Sequence, residues 1–193
     1  MKKAASIFIL IIMTWGCNES SKEIFPLYKL SLEVYPAENT FSTHLSLNYA
    51  SDSMVDTAVF LINRQLKLNK FSGRHLVEWQ IDSSSLEKGC NEIKAIFNPA
   101  LEAHQYVRIT AEYNGKLNEL LMTENQVPSS FELQEQACWY PRILPPKDFF
   151  YAINIKTDQN YRVGPNAHLI EGNWQIISEN ATNKIQLSFN KSN

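Results

Sequence analysis

From Tyr28 onward the chain alternates apolar and polar residues with a period of two. Leu30, Leu32 and Val34 interleave with Lys29, Ser31 and Glu33, and Leu45, Leu47 and Tyr49 interleave with Ser46 and Asn48. Successive side chains of a strand point to opposite faces, so this spacing predicts strands buried on one side and wetted on the other. Residues 57–62, Thr-Ala-Val-Phe-Leu-Ile, are apolar on both faces, as a central strand would be, and Leu66 and Leu68 resume the alternation after Asn63-Arg64-Gln65. Val77, Trp79 and Ile81 repeat it. So do Asn91, Ile93, Ala95 and Phe97, and Asn98-Pro99 is expected to stop that strand because proline brings no N–H to a ladder.

Residues 106–113 read as a further strand, closed by Asn114-Gly115. That dipeptide is the strongest short hairpin signal in the chain, since a type I′ turn needs positive φ at both central residues, and 116–122 is expected to run back beside 106–113. Phe149, Tyr151, Ile153 and Ile155 alternate again, Glu171-Gly172-Asn173 separates 168–170 from 174–177 as a second hairpin, and Ile185, Leu187 and Phe189 make the last strand. No window keeps a helical spacing over three turns, which confines helix to a turn near 84–88 or 100–104. Many short strands with punctuating turns predict an all-β, antiparallel β-sandwich or saddle-like domain over residues 27–193.

The N-terminus follows another pattern. Lys2 and Lys3 precede an apolar run over 4–15, and Gly16-Cys17 follows it. The run is too short for a permanent span, which needs about 20 apolar residues. It resembles a bacterial lipoprotein signal peptide, with Thr14 and Trp15 departing from the usual Leu and small residue ahead of the cysteine. The resemblance implies cleavage after residue 16, lipidation of Cys17, a polar tether over 17–26, and attachment to the membrane through that lipid. The expected location is the bacterial cell envelope, periplasmic or surface-exposed.

Charge then removes one class of partner. Taking away Lys2 and Lys3 leaves 16 basic residues of the 18 against 20 acidic ones, a formal charge of −4 with no basic stripe, so nucleic acid is not an expected partner. With Cys17 consumed by lipid, Cys90 and Cys138 remain. Two buried free thiols are the preferred reading, and a disulfide in an export compartment is the alternative. His44, His75, His104 and His168 lie far apart, without the three- or four-residue spacing of a helical zinc site. The sequence holds no Gly-rich phosphate loop and no Gly-x-Ser-x-Gly elbow. No catalytic residue, metal ligand or cofactor site is therefore assigned.

The most distinctive local string is Cys138-Trp-Tyr-Pro-Arg-Ile143, continued by Leu144-Pro145-Pro146. Three prolines among large aromatics suggest a rigid packed segment crossing between sheets. The functional alternative is a binding wall in which Trp139 and Tyr140 offer rings and Arg142 meets a carboxylate.

This string and its surroundings resemble the N-terminal β-domain of the aminopeptidase N-like zinc peptidases. The likeness runs through the strands at 28–34 and 41–47, Leu86-Glu-Lys-Gly89 ahead of Asn91-Glu-Ile-Lys94, Trp139-Tyr-Pro141, the strand 150–155, and 160–163, 166–169 and 172–174 in that order. It covers about residues 28–189, and the sequence ends about where the peptidase domain of that family would begin. The family's His-Glu-x-x-His zinc motif and Gly-x-Met-Glu-Asn strand have no counterpart here. The resemblance implies a noncatalytic binding or accessory module, or part of a split zinc metallopeptidase, with a peptidase domain or another protein as partner. Two alternatives stand beside it: the cap of a zinc aminopeptidase whose catalytic domain is a separate chain, and an immunoglobulin-like adhesive or glycan-binding lipoprotein. A partner-dependent module is expected to expose a continuous apolar patch, and a glycan binder to expose clustered aromatics.

Overall fold

The computed structural model describes residues 24–85, 87–123 and 127–192. The signal peptide expected over 1–16, Cys17 and most of the expected tether over 17–26 lie outside the described residues. Strands β1 (Leu27–Tyr35), β2 (Thr40–Tyr49), β3 (Val55–Asn63), β4 (Lys67–Gly73), β5 (Leu76–Asp82), β6 (Cys90–Leu101) and β7 (Val107–Lys116) lead to one helical turn, α1 (Leu117–Leu120). Strands β8 (Ser130–Leu133), β9 (Arg142–Leu144), β10 (Phe150–Thr157), β11 (Tyr161–Gly164), β12 (His168–Ile170), β13 (Asn173–Ile177) and β14 (Leu187–Lys191) complete the fold. Among the described residues no helix is long and apolar enough to cross a membrane.

The strands form a seven-stranded sheet ordered β12-β13-β10-β1-β2-β7-β4, a four-stranded sheet β5-β6-β3-β9, and a three-stranded sheet β11-β14-β8. All pairings are antiparallel except β1 with β10, where Leu30 lies beside Ile153 and Leu32 beside Ile155. The expected alternation sets the core directly: Tyr28, Leu30, Leu32 and Val34 are buried while Lys29, Ser31 and Glu33 face out. Across the layers Tyr49 of β2 meets Phe60 of β3 at 5.7 Å and stacks on Phe97 of β6 at 6.4 Å. Phe131 and Phe189 stack at 4.8 Å in the small sheet, and all of these rings belong to one continuous core.

Two local expectations are corrected. Asn114 and Gly115 do not turn; they continue β7 opposite Ser42 and Phe41, and neither takes a positive φ. A Cβ on Gly115 would lie 2.8 Å from Leu66 Cδ2 and 3.3 Å from the Gln65 carbonyl, so this glycine permits close approach of another segment. The chain after it forms α1 instead of a strand, with Leu117 and Leu120 turned inward. Asn98-Pro99 likewise fails to end β6, because the register between β6 and β3 breaks there, Val55 opposing Leu101 and Thr57 opposing Ile96. A bulge is where a strand tolerates proline. The second hairpin forms as expected, with Glu171 at φ 50 and Gly172 at φ 81 between β12 and β13.

Candidate functional site

The 138–142 segment crosses the end of the four-stranded sheet, and Asn63 holds it there. Asn63 is the last residue of β3 and pairs with Cys90. Its backbone N–H donates to the Cys138 carbonyl at 2.8 Å and its Nδ2 donates to the Ala137 carbonyl at 2.7 Å. With Asn63 between them, Cys90 and Cys138 come to a Cα separation of 6.3 Å and are joined in a disulfide. The preferred reading of two free thiols is thereby corrected, since the distance falls in the range a disulfide spans. Leu61 and Leu144 pack over the two sulfurs.

The binding-wall reading of Trp139 and Tyr140 is corrected as well. Both rings are fully buried. Trp139 lies edge-on to Phe41 at 6.4 Å, and Tyr140 lies edge-on to Tyr28 at 5.7 Å. The Tyr140 hydroxyl accepts the Ile185 N–H at 3.2 Å, and Tyr28 donates to the Pro141 carbonyl at 3.0 Å. Burial raises the pKa of both phenols. Both rings point into the core against the large sheet, Trp139 toward β2 and Tyr140 toward β1.

Arg142 is engaged inside the protein. Its Nη1 donates to Glu135 Oε1 at 2.8 Å, its Nη2 donates to Glu87, and its side chain is only 15% exposed. Burial opposes the guanidinium charge, but the hydrogen bonds it donates to Glu135 and Glu87 outweigh it and keep the group firmly protonated. A guanidinium with two carboxylate partners has little left to offer a ligand. Sequence reasoning missed Asn63, Glu87 and the pairing role of Glu135. The one available signal was the polar Asn63-Arg64-Gln65 interrupting an apolar run.

The family that the sequence resembles carries zinc, and the residues here do not fit it. Among the described residues, the group with metal-type ligand atoms close together is Glu87, Cys90 and Cys138. Its two sulfurs are bonded to each other, and Arg142 Nη2 lies 3.5 Å from Cys138 Sγ. Zinc needs thiolates, which a disulfide does not supply, and the neighbouring cation repels it.

Two surface features remain. A cleft of about 550 Å³ opens at the β12–β13 end of the large sheet, lined by His168, Ile170, Gln175 and Ile177 and the 178–182 loop. Ile170 and Ile177 there are 46% and 71% exposed, and Leu169, on the other face of β12, is 60% exposed. An apolar groove lies at the other feature, lined by Phe25, Leu27, Asn48, Tyr106 and Phe150. Tyr106 is the one aromatic among the exposed large hydrophobic residues described.

Neither a protein-family model nor a curated protein matches the sequence. Solved structures do match the fold. The M1 zinc metallopeptidase of Deinococcus radiodurans superposes with a TM-score of 0.62 at 10% identity, over 85% of this chain and 41% of that one. A two-domain M1 zinc metallopeptidase bound to L-tryptophan gives 0.63 at 10% identity and the same coverage. Native yeast LTA4 hydrolase gives 0.59 at 10% identity, over 85% of this chain and 28% of the hydrolase. The chain spans less than half the length of each of these enzymes, and the likeness is one of fold: an all-β domain resembling the N-terminal domain of the M1 metallopeptidases.

Proposed function

We propose that this chain is a noncatalytic accessory β-domain, anchored in the bacterial cell envelope through lipid on Cys17, that binds a protein partner. The observation that carries the reading is the M1-type fold over 85% of a chain whose sequence has no His-Glu-x-x-His. Without two histidines and a carboxylate to hold zinc, no water is activated for peptide hydrolysis. Purified chain supplied with Zn²⁺ is expected to leave aminoacyl fluorogenic substrates intact; zinc-dependent turnover by the chain alone would overturn the reading. Metabolic labelling with palmitate is expected to mark the chain and to fail on Cys17→Ala.

The exposed Ile170 and Ile177, which share one face of β12–β13, favour one version of this function, in which a separate zinc-bearing chain docks there. Peptidase activity present only after mixing the two chains, and reduced by Ile177→Asp, would support it. Mixing without activity would exclude it. A glycan-binding role calls for an exposed aromatic platform, to which Tyr106 alone contributes a widely exposed ring among the described residues.

A further inference from the structure

We infer that the groove formed by Phe25, Leu27, Tyr106 and Phe150 is a membrane-facing patch, which seats the domain on the lipid surface that holds it. The inference rests on the lipidation of Cys17 proposed above. Phe25 is the eighth residue after Cys17, and a fully extended chain of that length reaches about 28 Å. The end of the domain carrying Phe25 is therefore the end nearest the bilayer.

That end is built from three separate segments. Phe25 stands edge-on to Phe150 at 5.7 Å, Tyr106 reaches the Phe25 carbonyl with its hydroxyl at 3.5 Å, and Leu27 lies beside Phe150 in the β1–β10 register. Tyr106 is 53% exposed. Rings with an apolar body and one polar tip are the side chains that collect at the membrane–water boundary. The same row of the sheet continues from Phe150 through Leu27 and Asn48 to Arg108, and Lys29 follows Leu27 on the same outer face. Two exposed cations, Lys29 and Arg108, flank the rings, and the exposed acids Glu102 and Asp148 on the adjoining segments balance them, so the rings and not a net charge carry the contact. A lipid anchor restrains the chain at one point only, so a second, weak contact is what fixes the orientation of the domain.

The test uses the lipidated full chain in vesicles of phosphatidylcholine and phosphatidylglycerol. Spin labels are placed on Gln105→Cys, beside the patch, and on Thr40→Cys, at the far end of β2. The expected result is that the label at 105 loses collisions with a water-soluble relaxant and gains collisions with oxygen, while the label at 40 stays open to water. Adding Phe25→Asp and Tyr106→Asp should return the first label to water without releasing the chain from the vesicles. Equal water exposure of both labels on chains that float with the vesicles would overturn the docking surface and leave the anchor intact. Failure of the wild-type chain to float would overturn the anchor, and this inference with it.

Discussion

Tyr28 donates its phenolic hydrogen to the Pro141 carbonyl at 3.0 Å, joining residues 113 positions apart. Through this bond the second residue of β1 fixes the crossing segment against the large sheet. Tyr140 performs the converse task by accepting the Ile185 N–H, whereas among the described residues the buried hydroxyl of Tyr113 holds no backbone group and faces only the Thr43 hydroxyl across the β2–β7 pairing. Replacement by phenylalanine should therefore separate the three. Tyr28→Phe and Tyr140→Phe are each expected to cost about 1–3 kcal/mol, because each strands a buried backbone group. Tyr113→Phe is expected to be neutral or stabilising by up to about 1 kcal/mol. Urea unfolding of the three variants checks the order.

The same phenols set the alkaline limit. Burial raises the pKa of Tyr28, Tyr113 and Tyr140 above the ordinary 10.0, so above that pH the unfolded chain releases protons that the folded chain keeps. Stability should be insensitive to these groups below pH 10. It should then fall as pH rises, by about 1.4 kcal/mol per pH unit for each tyrosine. Tyr49, Tyr151 and Tyr161 are raised as well, so Tyr113→Phe should reduce the total slope by the share of one tyrosine, up to about 1.4 kcal/mol per pH unit, measured as the unfolding midpoint between pH 9 and 12.

The Cys90–Cys138 disulfide closes a loop with a sequence separation of 48. Loop-closure entropy gives such a crosslink about 4 kcal/mol of stabilisation. Cys90→Ala/Cys138→Ala should lower the free energy of unfolding by about that amount, and dithiothreitol should destabilise the wild type but not the double variant. Equal effects of reductant on both would contradict the assignment.

Arg142 offers a network test. Arg142→Met leaves Glu87 and Glu135 facing each other without their shared cation, at a cost of about 2 kcal/mol, moderated by their partial exposure. Adding Glu87→Gln and Glu135→Gln removes the uncompensated charges and should recover most of the loss. Denaturant midpoints of the single and triple variants at pH 7 decide it.

Two glycines are expected to differ. A Cβ at Gly73 would stand 2.8 Å from the Arg108 backbone carbonyl, which cannot move without breaking strand pairing. At Gly115 the nearest atom is the movable Leu66 Cδ2. Gly73→Ala should cost about 2–3 kcal/mol and Gly115→Ala about 1 kcal/mol, read from thermal unfolding.

Much of the fold was legible in the sequence wherever the deciding physics is local. The period-two spacing in 28–34 and 41–49 determined which side chains face the core, because a strand turns alternate residues to opposite sides whatever lies beside it. Gly172 marked its hairpin, because glycine takes a positive φ without steric cost, and the same turn holds Glu171 at φ 50. Tertiary structure decided everything that depends on a distant neighbour. It placed β10 parallel to β1, and it brought Leu66 and Gln65 against Gly115, so that a turn dipeptide became strand. Asn63 brought Cys138 beside Cys90, and the packing of two sheets drew Trp139 and Tyr140 inside, away from any ligand. The outward apolar residues Leu169, Ile170 and Ile177 read in the chain as ordinary strand residues. Leu169 and Ile170 lie on β12, the last strand of its sheet, and Ile177 lies on β13 beyond the residues that pair with β12. Alternation states that a residue has an inner and an outer side, and only the assembled sheets state what stands on each.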